Sequence, residues 1–152
     1  MRIEAFLADA VQAVGGKLSA LGIGWNTLSA PSFPARHDRV ALGIVVRIPP
    51  EEAAGQHRLS VQLLGPAGAP RPLGRRPDGS ELVELDAPFA VQPSEAEATA
   101  TFALNFDGLV FEEPGGYAFV VAVDGRERDR LAFRVQTPPA PEPVEHRVGG
   151  YL

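Results

Sequence analysis

Apolar residues recur at every second position through most of this chain, the periodicity of a half-buried β-strand. The longest run is Val40, Leu42, Ile44, Val46 and Ile48, alternating with Ala41, Gly43, Val45 and Arg47. Pro49-Pro50 ends it, because proline has no N–H for a ladder, and Pro50 suits the start of one helical turn over residues 51–56. Leu59, Val61 and Leu63 predict the next strand. Val83, Leu85, Ala87, Phe89 and Val91 predict another, with Pro88 placing it at an edge or a bulge. Ala98, Ala100, Phe102, Leu104 and Phe106 follow the same rule. Tyr117, Phe119, Val121 and Val123 run to Asp124-Gly125, and Leu131, Phe133 and Val135 come after. Asp-Gly between alternating segments predicts a tight hairpin, since both positions accept φ > 0. The segment 65–80, GPAGAPRPLGRRPDGS, reads as a loop.

The stretch GGKLSALGIGWNTL, residues 15–28, is ambiguous between helix and strand. A helix would carry four glycines at about 1 kcal/mol each relative to alanine. The strand reading puts Ser19, Leu21, Ile23 and Trp25 on one face and Leu18, Ala20, Gly22 and Gly24 on the other. Gly15-Gly16 is then a hairpin turn, with residues 2–14 as the partner strand. A helix over residues 5–14 is the competing reading, because that segment is rich in alanine. Altogether, seven to nine strands separated by turn signals predict an all-β fold, an immunoglobulin-like antiparallel β-sandwich over residues 1–136. From Thr137 the alternation stops. TPPAPEPVEHRVGGYL, residues 137–152, reads as a Pro-rich extended tail.

With 152 residues the chain suits one domain with a single core. Sixteen glycines and 15 prolines agree with many turns and few long helices. Cysteine is absent, which excludes disulfides, thiolate nucleophiles and Cys-ligated metal sites and fits a reducing compartment. Glu4 and Asp9 interrupt any signal-peptide apolar core, and no run reaches the ~20 apolar residues of a membrane span. A cytoplasmic protein is expected, and the excess of arginine over lysine together with abundant alanine suggests a bacterial source. The net charge of −5, with Arg126, Arg128 and Arg130 interleaved by Glu127 and Asp129, argues against nucleic-acid binding.

Two segments carry a family resemblance: FLADAVQAVGGKLSALGIGWNTL at 6–28, and LNFDGLVFEEPGGYAFVVAVDG at 104–125 followed by LAFRV at 131–135. With the strand pattern between them they resemble a family of small bacterial β-sandwich proteins described only as a domain of unknown function. The resemblance implies the fold and brings no catalytic residue, ligand or partner. Tyr117, just after a Pro-Gly turn, also resembles a tyrosine corner, whose hydroxyl bonds backbone a few residues upstream.

Candidate chemistry is sparse. His37, His57 and His146 show no metal-ligand spacing, and His57 and His146 read as surface residues. His37 neighbours Asp38 in a segment read as loop. Asn105, Asp107 and Glu112 could approach one another around a cation at a sandwich end, although no calcium-loop spacing supports it. There is no G-x-S-x-G elbow or P-loop, and G-I-G at 22–24 has no glycine three residues on. Trp25 reads as core filling. The sequence therefore predicts a non-enzymatic protein-interaction or assembly module with no cofactor and no metal. It would act through a sheet edge or through the tail, with Val144, Val148, Tyr151 and Leu152 as anchors, on a protein partner, self or other, and on neither nucleic acid nor membrane. The alternative is a small-ligand or carbohydrate-binding module, with Trp25, Phe33 and Phe111 lining a sandwich-end pocket.

Overall fold

The computed structural model describes residues 1–139, and all of its extended structure is β. In chain order the strands are β1 (Arg2–Ala8), β2 (Ala10–Val14), β3 (Lys17–Leu21), β4 (Thr27–Ser29), β5 (Ala35–Ile48), β6 (His57–Leu64), β7 (Pro70–Arg71), β8 (Gly74–Arg75), β9 (Glu81–Leu82), β10 (Glu84–Phe89), β11 (Ala98–Phe111), β12 (Gly115–Val123) and β13 (Arg126–Gln136). Two sheets face each other. One has the order β1-β5-β11; the other runs β10-β6-β12-β13-β4, with β7 continuing beside β6. All ladders are antiparallel except β4, which returns parallel to β13. The predicted tail anchors Val144, Val148, Tyr151 and Leu152 lie outside the described residues.

The alternation decides what is buried. Val40, Leu42, Ile44, Val46 and Ile48 of β5 meet Leu59, Val61 and Leu63 of β6 and Phe119, Val121 and Val123 of β12 in one core. Phe106 stacks on Phe119 across the two sheets, with centroids 5.5 Å apart, and Phe119 stacks on Phe133 at 5.7 Å. The tyrosine corner is present: Tyr117 donates to the Glu113 carbonyl at 2.6 Å while its ring packs edge-on to Phe111. Burial raises the Tyr117 phenol above its ordinary value of 10.0. Asp124 and Gly125 both adopt positive φ in the β12–β13 hairpin, as Asp-Gly requires. Pro88 sits on β10, an edge strand.

The N-terminal third departs from expectation. Gly15-Gly16 is a turn with positive φ at both residues, so the hairpin reading holds. Residues 2–14 are not one strand, however. The chain breaks at Asp9: β1 pairs with β5, while β2 turns over to pair with β3. The β2–β3 hairpin lies on the outer face of the three-stranded sheet and makes a second, smaller core from Ala8, Val11 and Ala41, with Phe6, Leu18, Ala20 and Ala103 around it. The buried face of β3 is thus Leu18 and Ala20, and Leu21 and Ile23 are exposed, the reverse of what residue size suggests. One side chain locks the hairpin down. Asn105 of β11 acts as a backbone surrogate, accepting from the Val11 N–H at 3.1 Å and donating to the Val11 carbonyl at 2.9 Å. The Phe6 ring lies across Gly43, where a Cβ would collide with it.

The segment 65–80 is more ordered than a loop. It contains β7 and the β8–β9 hairpin, with Leu73 buried against the core. The alternation also changes phase within β5 and β11. Inward residues are even-numbered up to Phe106 and odd-numbered at Leu109 and Phe111, with the switch at Gly108, whose φ is +71.

Candidate functional site

β11 is the longest open edge in the structure. It spans 14 residues, pairs with β5 on one side and, among the described residues, has no strand on the other. Between Ala98 and Phe106 it carries no charge, proline or lysine, the usual devices that protect an edge. Its first charge is Asp107, which takes a two-pronged bond from Arg39 at 2.6 and 3.1 Å. That bond holds the Asp107 carboxyl below its ordinary value of 3.8. Thr99 and Thr101 face outward beside this edge. Ala98, Ala100, Phe102 and Leu104 face inward and are half-buried, because no further strand covers them. Across the opening, β10 presents Leu85, Ala87 and Phe89, also half-buried, with Phe89 edge-on to Phe102 at 5.1 Å. The result is a line of unpaired backbone donors and acceptors about 30 Å long bordered by apolar side chains.

Histidine 57 is not a surface residue. It is 9% exposed, with Nδ1 2.8 Å from Asp124 Oδ2 and Nε2 2.9 Å from the Glu52 carbonyl. Its ring lies 5.4 Å from that of Phe89. Asp124 also accepts from the Arg58 N–H at 2.9 Å, so the β12–β13 turn is clasped to the start of β6. The hydrogen bond to His57 is the main reason the Asp124 carboxyl falls below 3.8, with Arg58 and Arg128 adding to it. Both ring nitrogens are engaged within the fold, leaving neither for a substrate. The signal was in the sequence: His57 precedes Leu59, Val61 and Leu63 by the same step of two and so shares their inward face.

The other predicted residues are dispersed. Phe111 is 1% exposed, a core residue packed on Tyr117 and Phe133, and its edge closes a cleft of about 260 Å³ lined by Leu28, Pro31, Pro34, Arg36 and His37. Phe33 is half-buried against the main core. Trp25 is edge-on to Phe133 at 5.7 Å and borders a different groove, of about 240 Å³, with Phe6, Leu7, Ile23, Arg130 and Leu131. Among the described residues the Trp25 indole N–H meets no acceptor. Asn105, Asp107 and Glu112 do not converge: Asn105 holds Val11, Asp107 holds Arg39, and Glu112 borders a groove with Arg71 and Arg75. Among the described residues no three His, Asp or Glu side chains are grouped as a metal site. Among the described residues no helix is long and apolar enough to cross a membrane.

A sandwich of two mainly antiparallel sheets, offering an open edge and shallow grooves, defines a small β-domain whose accessible features are surfaces. The chain belongs to a family of unknown function, DUF6941, matched over residues 4–136, from β1 to the last residue of β13. No curated protein matches it.

Proposed function

We propose that this protein is a non-enzymatic interaction module of immunoglobulin-like architecture that takes up an extended protein segment along the open edge of β11. The architectural part rests on the strand order, on β4 returning parallel to β13, and on the Tyr117 corner. The functional part rests on one observation: nine uncharged residues, Ala98 to Phe106, pair with β5 on one side and with no described strand on the other, beside half-buried apolar side chains. Strand addition takes its affinity from main-chain hydrogen bonds and its specificity from alternate side chains, so it needs no catalytic constellation. We read the module as one of a bacterial cytoplasm, a reading that the lack of cysteine and an arginine-rich, lysine-poor composition support.

Selection from a library of random peptides tests it. Recovered sequences should alternate apolar and polar residues, and adding one should slow amide exchange across residues 98–106. Thr101→Lys, which puts a charge beside the edge, should weaken binding at least about tenfold. Peptides that bind while leaving those amides unprotected, or that bind the lysine variant equally well, would refute the assignment.

A further inference from the structure

Strand β12 reads GGYAFVVAV, nine residues without a polar side chain except the Tyr117 hydroxyl. Tyr117, Phe119, Val121 and Val123 fill the core, which leaves Ala118, Val120 and Ala122 on the opposite, outer face of the six-stranded sheet. Strands apolar on both faces belong where both faces are covered. Here no described segment lies over the outer one. Its neighbours extend the apolar surface: Leu64 of β6 and Ala132 of β13 stand level with Ala118.

Charge flanks this centre in opposite signs. Register across the sheet gives the row Glu84, Gln62, Val120, Arg130, from β10 through β6 and β12 to β13. The β10 side bears Glu84 and Asp86 with one arginine, Arg58, bonded to Asp86. The β13 side bears Arg130 and Arg134 with one carboxylate, Glu127, bonded to Arg130. One rim is therefore net negative and the other net positive.

We infer that this face is covered by a second copy of the same chain, packed face to face about a twofold axis that runs along the strands between β6 and β12. Such an axis exchanges β10 with β13. It sets Glu84 of each copy opposite Arg130 of the other and closes Val120 and Ala118 against Gln62 and Leu64. An axis across the strands would instead oppose β10 to β10 and β13 to β13, like charge to like, so the charges select the geometry. Four strands about 4.8 Å apart and eight residues long project on the order of 400–500 Å². That is small beside the usual figure of about 800 Å² per partner, so the dimer is reversible.

Sedimentation velocity on the full chain across the micromolar range, at low salt, should show monomer passing to dimer with rising concentration. Val120→Glu, an outward substitution that touches no core residue, should leave a folded monomer. Glu84→Arg and Arg130→Glu should each weaken the dimer at least about tenfold, and the two together should restore it. A chain that stays monomeric at every concentration would overturn the proposal. So would a dimer indifferent to Val120→Glu, or a double reversal weaker than either single one. A dimer lost with Thr101→Lys but kept with Val120→Glu would move self-association to the β11 edge and equally overturn it, while leaving the edge reading intact.

Discussion

Replacing Asn105 should release the β2–β3 hairpin without unfolding the sandwich beneath it. The hairpin is two five-residue strands, and a two-stranded ribbon is marginal alone in water. Its contacts with the outer face of the β1-β5-β11 sheet are a small apolar cluster and the paired bonds from Asn105 to Val11, at 3.1 and 2.9 Å. A neutral hydrogen bond contributes about 0.5–1.5 kcal/mol net, and this amide is accessible enough for water to replace part of it. Asn105→Ala should therefore cost about 1–2 kcal/mol at the hairpin. Asn105→Asp keeps the acceptor for the Val11 N–H but turns a carboxylate oxygen toward the Val11 carbonyl, and should cost at least as much. Asn105→Gln adds a methylene and cannot hold both bonds at once. Amide exchange read by mass spectrometry separates the levels: residues 10–21 should exchange several-fold faster in all three variants, while β5, β6 and β12 keep their protection. If hairpin amides exchange as in the parent, Asn105 is not the clamp. If β5 and β12 lose protection in step with the hairpin, the hairpin is not a separable layer.

Tyr117→Phe keeps the ring contacts with Phe111 and Phe133 but strands the Glu113 carbonyl, so unfolding in urea should show a loss of about 1–2 kcal/mol, and unchanged stability would deny the corner its role. Gly43→Ala should cost about 1–3 kcal/mol because its methyl meets the Phe6 ring, and Phe6→Ala in the same chain should return part of that loss; two independent, additive losses would count against the contact. Stability should also depend on acid. Asp107, held low by the Arg39 bond, Asp124, held low by the His57 bond, and Glu4, held low by the Arg47 bond, all bind protons less readily folded than unfolded. Their contribution is complete above the ordinary values of 3.8 and 4.5 and is lost as pH falls through the lower folded values, so the urea midpoint should be level above about pH 5 and decline below about 4.5. A midpoint that holds or climbs on acidification would contradict this.

How far the sequence could be read depended on what alternation encodes. It reports which residues share a face, and it did so correctly for long stretches of β5, β6, β11, β12 and β13 because each has a run of apolar residues on one face. It does not report which face turns inward when both are partly apolar. In and just after β3, Leu21 and Ile23 end up in solvent, while Leu18, Ala20 and the Phe6 ring pack against Ala41 and Ala103. Phase changes were legible but easily passed over: Phe102, Leu104 and Phe106 give way to Leu109 and Phe111 across Gly108, a shift by one that marks a local reversal of sides. His57 lay within reach by the same logic, since a polar residue on an apolar parity needs buried partners, and Asp124 and the Glu52 carbonyl supply them. Those partners stand 67 and five residues away, and the distant one is brought in by the pairing of β6 with β12.

Among the described strands β12 is apolar on both faces, as β5 is from Val40 to Val46, and the contrast between them bears on the second copy. On the back of β5 the chain places Ala41 and Gly43, and it devotes an entire hairpin, the Phe6 ring and the Asn105 clamp to covering them. On the back of β12 it places Ala118, Val120 and Ala122 and covers them with nothing described. Many other outward positions are polar, as Thr99, Asn105 and Asp107 on β11 and Arg58 and Gln62 on β6 are. A chain that hides one such face under its own hairpin and surrounds the other with oppositely charged rims has treated them differently, and self-complementary charge is what a face meant for its own copy requires.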